Sequence, residues 1–261
     1  RPSAGALATK GTVFSMDVLL ELGNDVARLW ATYAPTYLNG VKNTLILTVI
    51  AVVLGVLLGT LVAMAKMSKS KIVRFLISIY IEIIRGTPIL LQLYLFYFVL
   101  PQLLPFLKLS SFMWVAIAMC VNSSAYVSEV IRSGIQAVDK GQTEAARSLG
   151  LSESQTMMKV ILPQAVRNIL PALGNEFIMM LKETSLASTF FLGDLMTSYA
   201  IVKGVTYLTL EPMTIVAIIY LCMTFPLSKI VERFEKKMAS PNSYKKSNAK
   251  RKRKLMNGGN I

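Results

Sequence analysis

Residues 128–185 read SEVIRSGIQAVDKGQTEAARSLGLSESQTMMKVILPQAVRNILPALGNEFIMMLKETS. An apolar run enters this stretch and another leaves it, with a basic connection punctuated by glycine and proline between them. Glu144 to Gly150 predicts a short helix, in which Ala145, Ala146 and Leu149 share one face by i,i+3 and i,i+4 spacing. Gly150 suits a left-handed cap that ends this helix, and Ser152 suits the N-cap of a second helix running to Pro163. Two helices joined by a tight bend make a stiff knob, which can transmit a push. On its residues alone, the stretch reads more readily without function, as a folded cytoplasmic connection of a membrane protein of any kind.

Working outward, the whole chain has the composition of a protein in lipid. It has 261 residues, 54% hydrophobic and 16% charged, where soluble domains carry about 25% charged residues. No internal repeat is visible. Histidine is absent, so no His-based catalytic or zinc arrangement exists, and the two cysteines, Cys120 and Cys222, both lie in apolar runs. No metal site is expected. The GxxxxGK[ST] phosphate loop is missing, so the chain is not expected to hydrolyse ATP.

Five apolar runs have the length of a bilayer crossing, about 20 residues at 1.5 Å each. They are Thr44–Ala65, Phe75–Leu100, Phe112–Ile131, a run from Ile169 through Leu181, and Pro212–Ile230. Gly55 and Gly59 in the first permit close helix contact. The second is interrupted by Glu82, Arg85 and Gly86-Thr87-Pro88, which predicts a kink. The third carries a polar stripe of Asn122, Ser123, Ser124, Tyr126 and Glu129. The fourth breaks around Lys182–Ser185, and a second short helix is expected from Leu186 to Tyr199.

Basic residues orient the runs. Loop 66–74 has four, loop 132–167 has five, and residues 229–254 have eleven against Glu232 and Glu235. The opposite connections hold only Lys108 and Lys203. Five crossings with the N-terminus outside and the C-terminus cytoplasmic put every basic segment inside. The formal charge of +14 therefore reads as a cytoplasmic flank near anionic lipid, in preference to a nucleic-acid surface. Val18, Leu19, Leu22, Val26, Leu29 and Trp30 recur at helical spacing within residues 13–39. They predict an amphipathic helix at the outer interface, or a packed external cap. The chain thus divides into an outer segment 1–37, a transmembrane domain 38–235 with loop 132–167, and a basic tail 236–261.

The loop also carries a recognisable pattern. Glu144-Ala145-Ala146, three residues, Gly150, nine residues, then Val160, one residue and Leu162-Pro163 resembles the EAA–G–I–LP hallmark of membrane-spanning subunits of binding-protein-dependent ABC importers. Val160 stands where that pattern has isoleucine. Asn43-Thr44-Leu45, Arg85-Gly86-Thr87-Pro88, Lys140-Gly141-Gln142-Thr143, Pro163-Gln164-Ala165-Val166-Arg167 and Lys182-Glu183-Thr184-Ser185-Leu186 narrow the resemblance to polar amino-acid permeases of the histidine, glutamine and arginine type. The resemblance covers about residues 38–235.

The resemblance implies an all-α membrane protein of the type I ABC importer permease fold, with five transmembrane helices per subunit, in a bacterial-type cytoplasmic membrane. It implies two cytoplasmic ATPase subunits that use ATP and Mg, a second identical or paralogous permease and an extracytoplasmic amino-acid-binding protein. No cofactor is expected in this chain. Glu144, Ala145, Ala146, Leu149, Gly150 and Pro163 would couple it to the ATPases. Glu183, Glu176 and Glu129 are the acidic candidates for holding a substrate ammonium or guanidinium group. Arg85 is the candidate for its carboxylate, with Thr184 and Ser185 adding hydrogen bonds at the helix break. The structural alternative pairs Arg85 with Glu82 or a facing glutamate. An ATP-independent transporter or channel, and a membrane scaffold with a recruiting tail, are the rival readings.

Overall fold

A computed structural model describes residues 16–238, with side chains from Leu20 onward. Every regular element in that range is helical. The tail beyond Met238 and the first fifteen residues, with the roles read for them, lie outside the described residues.

The first helix, α1, spans Met16–Lys66. Its 51 residues extend about 76 Å at 1.5 Å each, so it is much longer than a bilayer is thick. The sequence reading separates residues 13–39 from the first crossing; the structure joins residues 16–39 to it in one helix. Packing explains the continuity. Leu29 and Tyr37 are buried in a cluster with Leu195, Val202, Ile215 and Val216, so the N-terminal half of α1 has its own apolar partners.

Helix α2 spans Lys71–Gly86 and α3 spans Ile89–Tyr94; a π turn over Leu95–Val99 leads into α4, Leu100–Leu103. Thr87 is extended, as the residue before a proline is forced to be. The helices on its two sides meet at 104°. What the sequence predicts as one kinked crossing is thus a right-angled turn. Gln92 braces the turn: its side-chain amide nitrogen, Nε2, donates to the Ile84 carbonyl at 2.8 Å and to Thr87 Oγ1 at 2.9 Å.

Helix α5 spans Ser111–Gln136, capped by Ser110, and packs along α1. The glycine pair makes this contact possible. A Cβ on Gly55 would stand 2.7 Å from Ser123 Cβ, and one on Gly59 2.8 Å from the Ser124 carbonyl oxygen. Helices α6 (Lys140–Ser148) and α7 (Glu153–Thr156) follow, then a π turn over Met157–Ile161 and α8 over Leu162–Glu183. A 3-10 segment, Thr184–Phe190, leads to α9 (Leu195–Thr206), and α10 (Leu210–Met238) closes the bundle. The short helix expected at 186–199 begins later, because Gly193 is left-handed and Asp194 caps the helix at Met196 N.

Leu47, Ala51, Val115, Met119 and Met180 form the central core. Among the described residues, three helices are long and apolar enough to cross a membrane, and up to five if each of the two bent pairs, 71–103 and 153–206, counts as one span.

Candidate functional site: a stiff elbow beneath a polar bundle interior

The elbow forms from local chemistry. Asp139 caps α6, its carboxylate accepting from Gly141 N at 2.7 Å. The helix ends with Gly150 at φ +82, where a side chain is disfavoured. Across it Leu151 N donates to the Ala146 carbonyl at 3.2 Å and Gly150 N to that of Arg147 at 3.0 Å. Ser152 then opens α7 with a reciprocal capping box: Gln155 N donates to Ser152 Oγ at 3.2 Å, and Ser152 N to Gln155 Oε1 at 2.9 Å. Arg147 spans the bend, donating to the Leu151 carbonyl at 2.6 Å.

Two sequence expectations change here. Ala145, Ala146 and Leu149 do not share one exposure: Ala146 is buried where α6 rests on the π turn, whereas Ala145 is exposed and Leu149 is 81% exposed. The second helix also does not stop at Pro163. Helical structure continues from Glu153 to Glu183, with the π turn just before the proline. Proline supplies no amide hydrogen and crowds the carbonyl four residues back. The wider turn, marked by Leu162 N donating to Met157 O, accommodates it without ending the rod. The same arrangement precedes Pro101, where Leu100 N donates to Leu95 O.

The rod carries the elbow's orientation into the bundle. Glu176 and Glu183 both lie on α8, seven residues apart. Glu176 is 5% exposed and accepts a hydrogen bond from Ser123 at 3.3 Å. Glu183 is half-buried, and its Oε2 is buried without a hydrogen-bond partner. Thr184 is buried and its hydroxyl donates to the Leu181 carbonyl at 2.7 Å, so its proton is used within the helix end. Half-buried Ser185 accepts from Ser188 through its carbonyl.

Glu129 and Arg85 form a second group. Glu129 pairs with Arg132 at 2.6 Å and with Arg85 at 3.8 Å, and the Arg85 guanidinium lies 5.5 Å from the Tyr126 ring centroid. The partner of Arg85 is thus the facing glutamate. Arg85, Glu129 and Arg132 line a cavity of about 520 Å³ with Lys66, Glu82 and Gln136, at the end of α1 where its basic turn lies. Lys66 donates to Ser78 at 2.6 Å nearby.

Sequence reasoning missed two supporting groups. Gln92 is 4% exposed, and its Oε1 accepts from Asn122 Nδ2 at 2.9 Å while its amide braces the 104° turn. Asp194 is buried, accepts from Met196 N at 2.9 Å and is hydrogen-bonded by the Thr197 hydroxyl. Beside it, Asn43 donates to the Gly193 carbonyl at 2.9 Å and Leu195 N donates to Thr44 Oγ1 at 3.0 Å. Asn43 and Thr44 therefore hold the α8–α9 break against α1. The Gly-Asp sequence before an apolar run was the available signal for that cap.

A bent-helix bundle with a polar interior and a protruding elbow defines a multi-pass membrane permease. The chain belongs to the family of binding-protein-dependent transport system inner membrane components, which it matches over residues 34–240. A putative glutamine transport system permease protein of Rickettsia bellii is 44% identical over 178 residues, covering 68% of this chain and 81% of that protein. The arginine transport system permease protein of Bacillus subtilis is 39% identical over 206 residues, covering 79% and 94%. Among solved structures, an amino acid ABC transporter crystallised with histidines is similar at a TM-score of 0.76. It is 48% identical, with 79% of this chain and 96% of that one covered. A methionine ABC transporter, 17% identical at a TM-score of 0.65 with 78% and 97% covered, shares the fold.

Proposed function

We propose that this chain is the pore subunit of an ATP-driven importer of polar amino acids, working by alternating access. The observation that carries this reading is the unbroken rod from the elbow to Glu183. A displacement at α6 reaches the polar interior without passing through a flexible loop. In this reading two such permeases, identical or paralogous, face each other, and an extracytoplasmic binding protein delivers the solute. Two separate ATPase subunits bind ATP and Mg and grip the elbows. The N-terminus lies outside and the C-terminus in the cytoplasm, in accord with the basic loops.

Exposed Leu149 and Ala145 are the contact face toward the ATPase, and Ala146, Gly150 and Pro163 shape the elbow behind them. Glu144 is exposed on the same short helix. Within the bundle, the buried free oxygen of Glu183 and the buried carboxylate of Glu176 supply acceptors for a substrate cation. The names of similar permeases, for arginine and glutamine, fit a polar solute.

Co-purification tests the coupling. Leu149→Asp combined with Ala145→Glu is expected to insert in the membrane normally and to lose its ATPase subunit on affinity purification. Undiminished recovery of the ATPase would refute the elbow's role. Uptake into vesicles holding the complete complex, measured with a panel of amino acids and with or without ATP, tests transport itself.

A further inference from the structure

Helix α2 has three distinct edges. Ile77, Ile81 and Ile84 face inward, with Ile81 buried and the other two half-buried. Lys71, Arg74, Ser78, Glu82 and Arg85 recur every three or four residues along a second edge. Ile72, Phe75, Leu76, Ile79 and Ile83 occupy a third, and all five are exposed, from 39% to 72%.

A helix crossing hydrocarbon with this composition would carry a charged ladder through its whole length. It would also carry Arg85 about 21 Å along the axis from Lys71. The contacts place Arg85 elsewhere. It shares a cavity with Lys66, the basic end of α1, and pairs with Glu129, which is one turn from Arg132. Lys66 also reaches Ser78 in the middle of α2. The middle and far end of α2 are therefore both tied to the basic end of the bundle. Tyr80, in the middle of α2, also reaches α5, its hydroxyl donating to the Val121 carbonyl at 3.0 Å, and beyond the 104° turn Gln92 meets Asn122.

We propose that α2 lies in the plane of the membrane, at the interface on the side of the basic loops, and that the second crossing begins at Ile89. Its partner is an anionic lipid surface. The exposed isoleucine edge enters the acyl chains, and Lys71 and Arg74 sit among acidic headgroups, where the interface accepts both kinds of side chain. Packed polar contacts then fix one end of the flat helix to α5 through Arg85 and Glu129. The inference rests on the membrane fold of the family and is independent of which solute is carried.

Depth measurements decide it. The assembled transporter, with Cys120→Ala and Cys222→Ala, is placed in vesicles of phosphatidylcholine and phosphatidylglycerol. Single nitroxide labels go at 72, 76, 79 and 83, and collisions with oxygen and a water-soluble nickel chelate report their depth. All four are expected at one shallow depth, within about one helical turn, 5 Å. A steady deepening from 72 to 83 of about 16 Å would show a crossing helix and overturn the proposal. Shielding of all four from both reagents would also overturn it, by showing a protein partner on this edge. Lys71→Gln with Arg74→Gln, or omission of phosphatidylglycerol, is expected to raise nickel collisions at 72 at least twofold. No change in either would overturn the headgroup assignment.

Discussion

The hydroxyl of Ser123 on α5 donates to a carboxylate oxygen of Glu176 on α8 at 3.3 Å, in an interface where both residues are buried. This bond joins the polar stripe of one helix to the rod that carries the elbow. Ser123→Ala should cost about 1–3 kcal/mol, because it strips a buried carboxylate of a donor. Thermal unfolding of the purified complex checks it. Glu176→Gln keeps an acceptor for Ser123, so it should assemble normally; uptake of a cationic amino acid should fall by about tenfold or more, the equivalent of one charge-assisted hydrogen bond.

Glu183 gives a sharper test, since its Oε2 has no hydrogen-bond partner to lose. Glu183→Gln should leave thermal stability within about 0.5–1 kcal/mol of the parent while abolishing uptake of a cationic solute. Normal uptake would remove Glu183 from the substrate path.

Gly59 meets α5 so closely that a larger side chain must part the helices. Gly59→Val should destabilise by about 1–3 kcal/mol or more through overpacking. Gly23→Ala, which has open space at its Cβ position, should have no comparable effect. Melting temperatures in one detergent provide the comparison.

Gly150 sits at φ +82 with nothing near its Cβ position, so its cost is conformational rather than steric crowding by neighbours. Gly150→Ala should cost about 1–2 kcal/mol locally, and Gly150→Asn less. Faster hydrogen exchange at Leu151 and Gln155, whose amides close the bend, is the expected signature. Solute uptake per ATP hydrolysed should fall in parallel.

Removing Gln92 should loosen the 104° turn. Gln92→Ala breaks its bonds to Ile84, Thr87 and Asn122 and leaves buried polar groups without them, at about 1–3 kcal/mol. Gln92→Glu restores an acceptor for Asn122 but no donor for the two sites at the turn, so it should rescue little. Unfolding measurements on the two variants separate the roles.

Much of the architecture was legible in one dimension. Bilayer length and apolarity mark the runs through α1, α5 and α10, because lipid demands continuous apolar surface on a helix whose backbone is already hydrogen-bonded. The elbow was equally legible. Gly150 and Ser152 act within a few residues of themselves, so their caps follow from sequence. The close α1–α5 contact is likewise written in Gly55 and Gly59.

Tertiary structure decided what depends on partners distant in the chain. Pro88 and Pro163 have the same missing amide hydrogen, yet one stands at a right-angled turn and the other lies within a continuous rod. The difference lies in the surroundings: Gln92 and Asn122 brace the first break, while a π turn accommodates the second proline. Ala146 faces inward and Leu149 outward because α6 rests on that π turn, a contact no helical period specifies. The partner of Arg85 also required the fold, since Glu82 and Glu129 were both available by charge and only the packing of α2 against α5 selects Glu129. Sequence by itself determined the lipid-embedded helices and their caps, which are local consequences of periodicity and backbone chemistry. The directions of those helices, and which polar groups meet between them, were set by long-range packing.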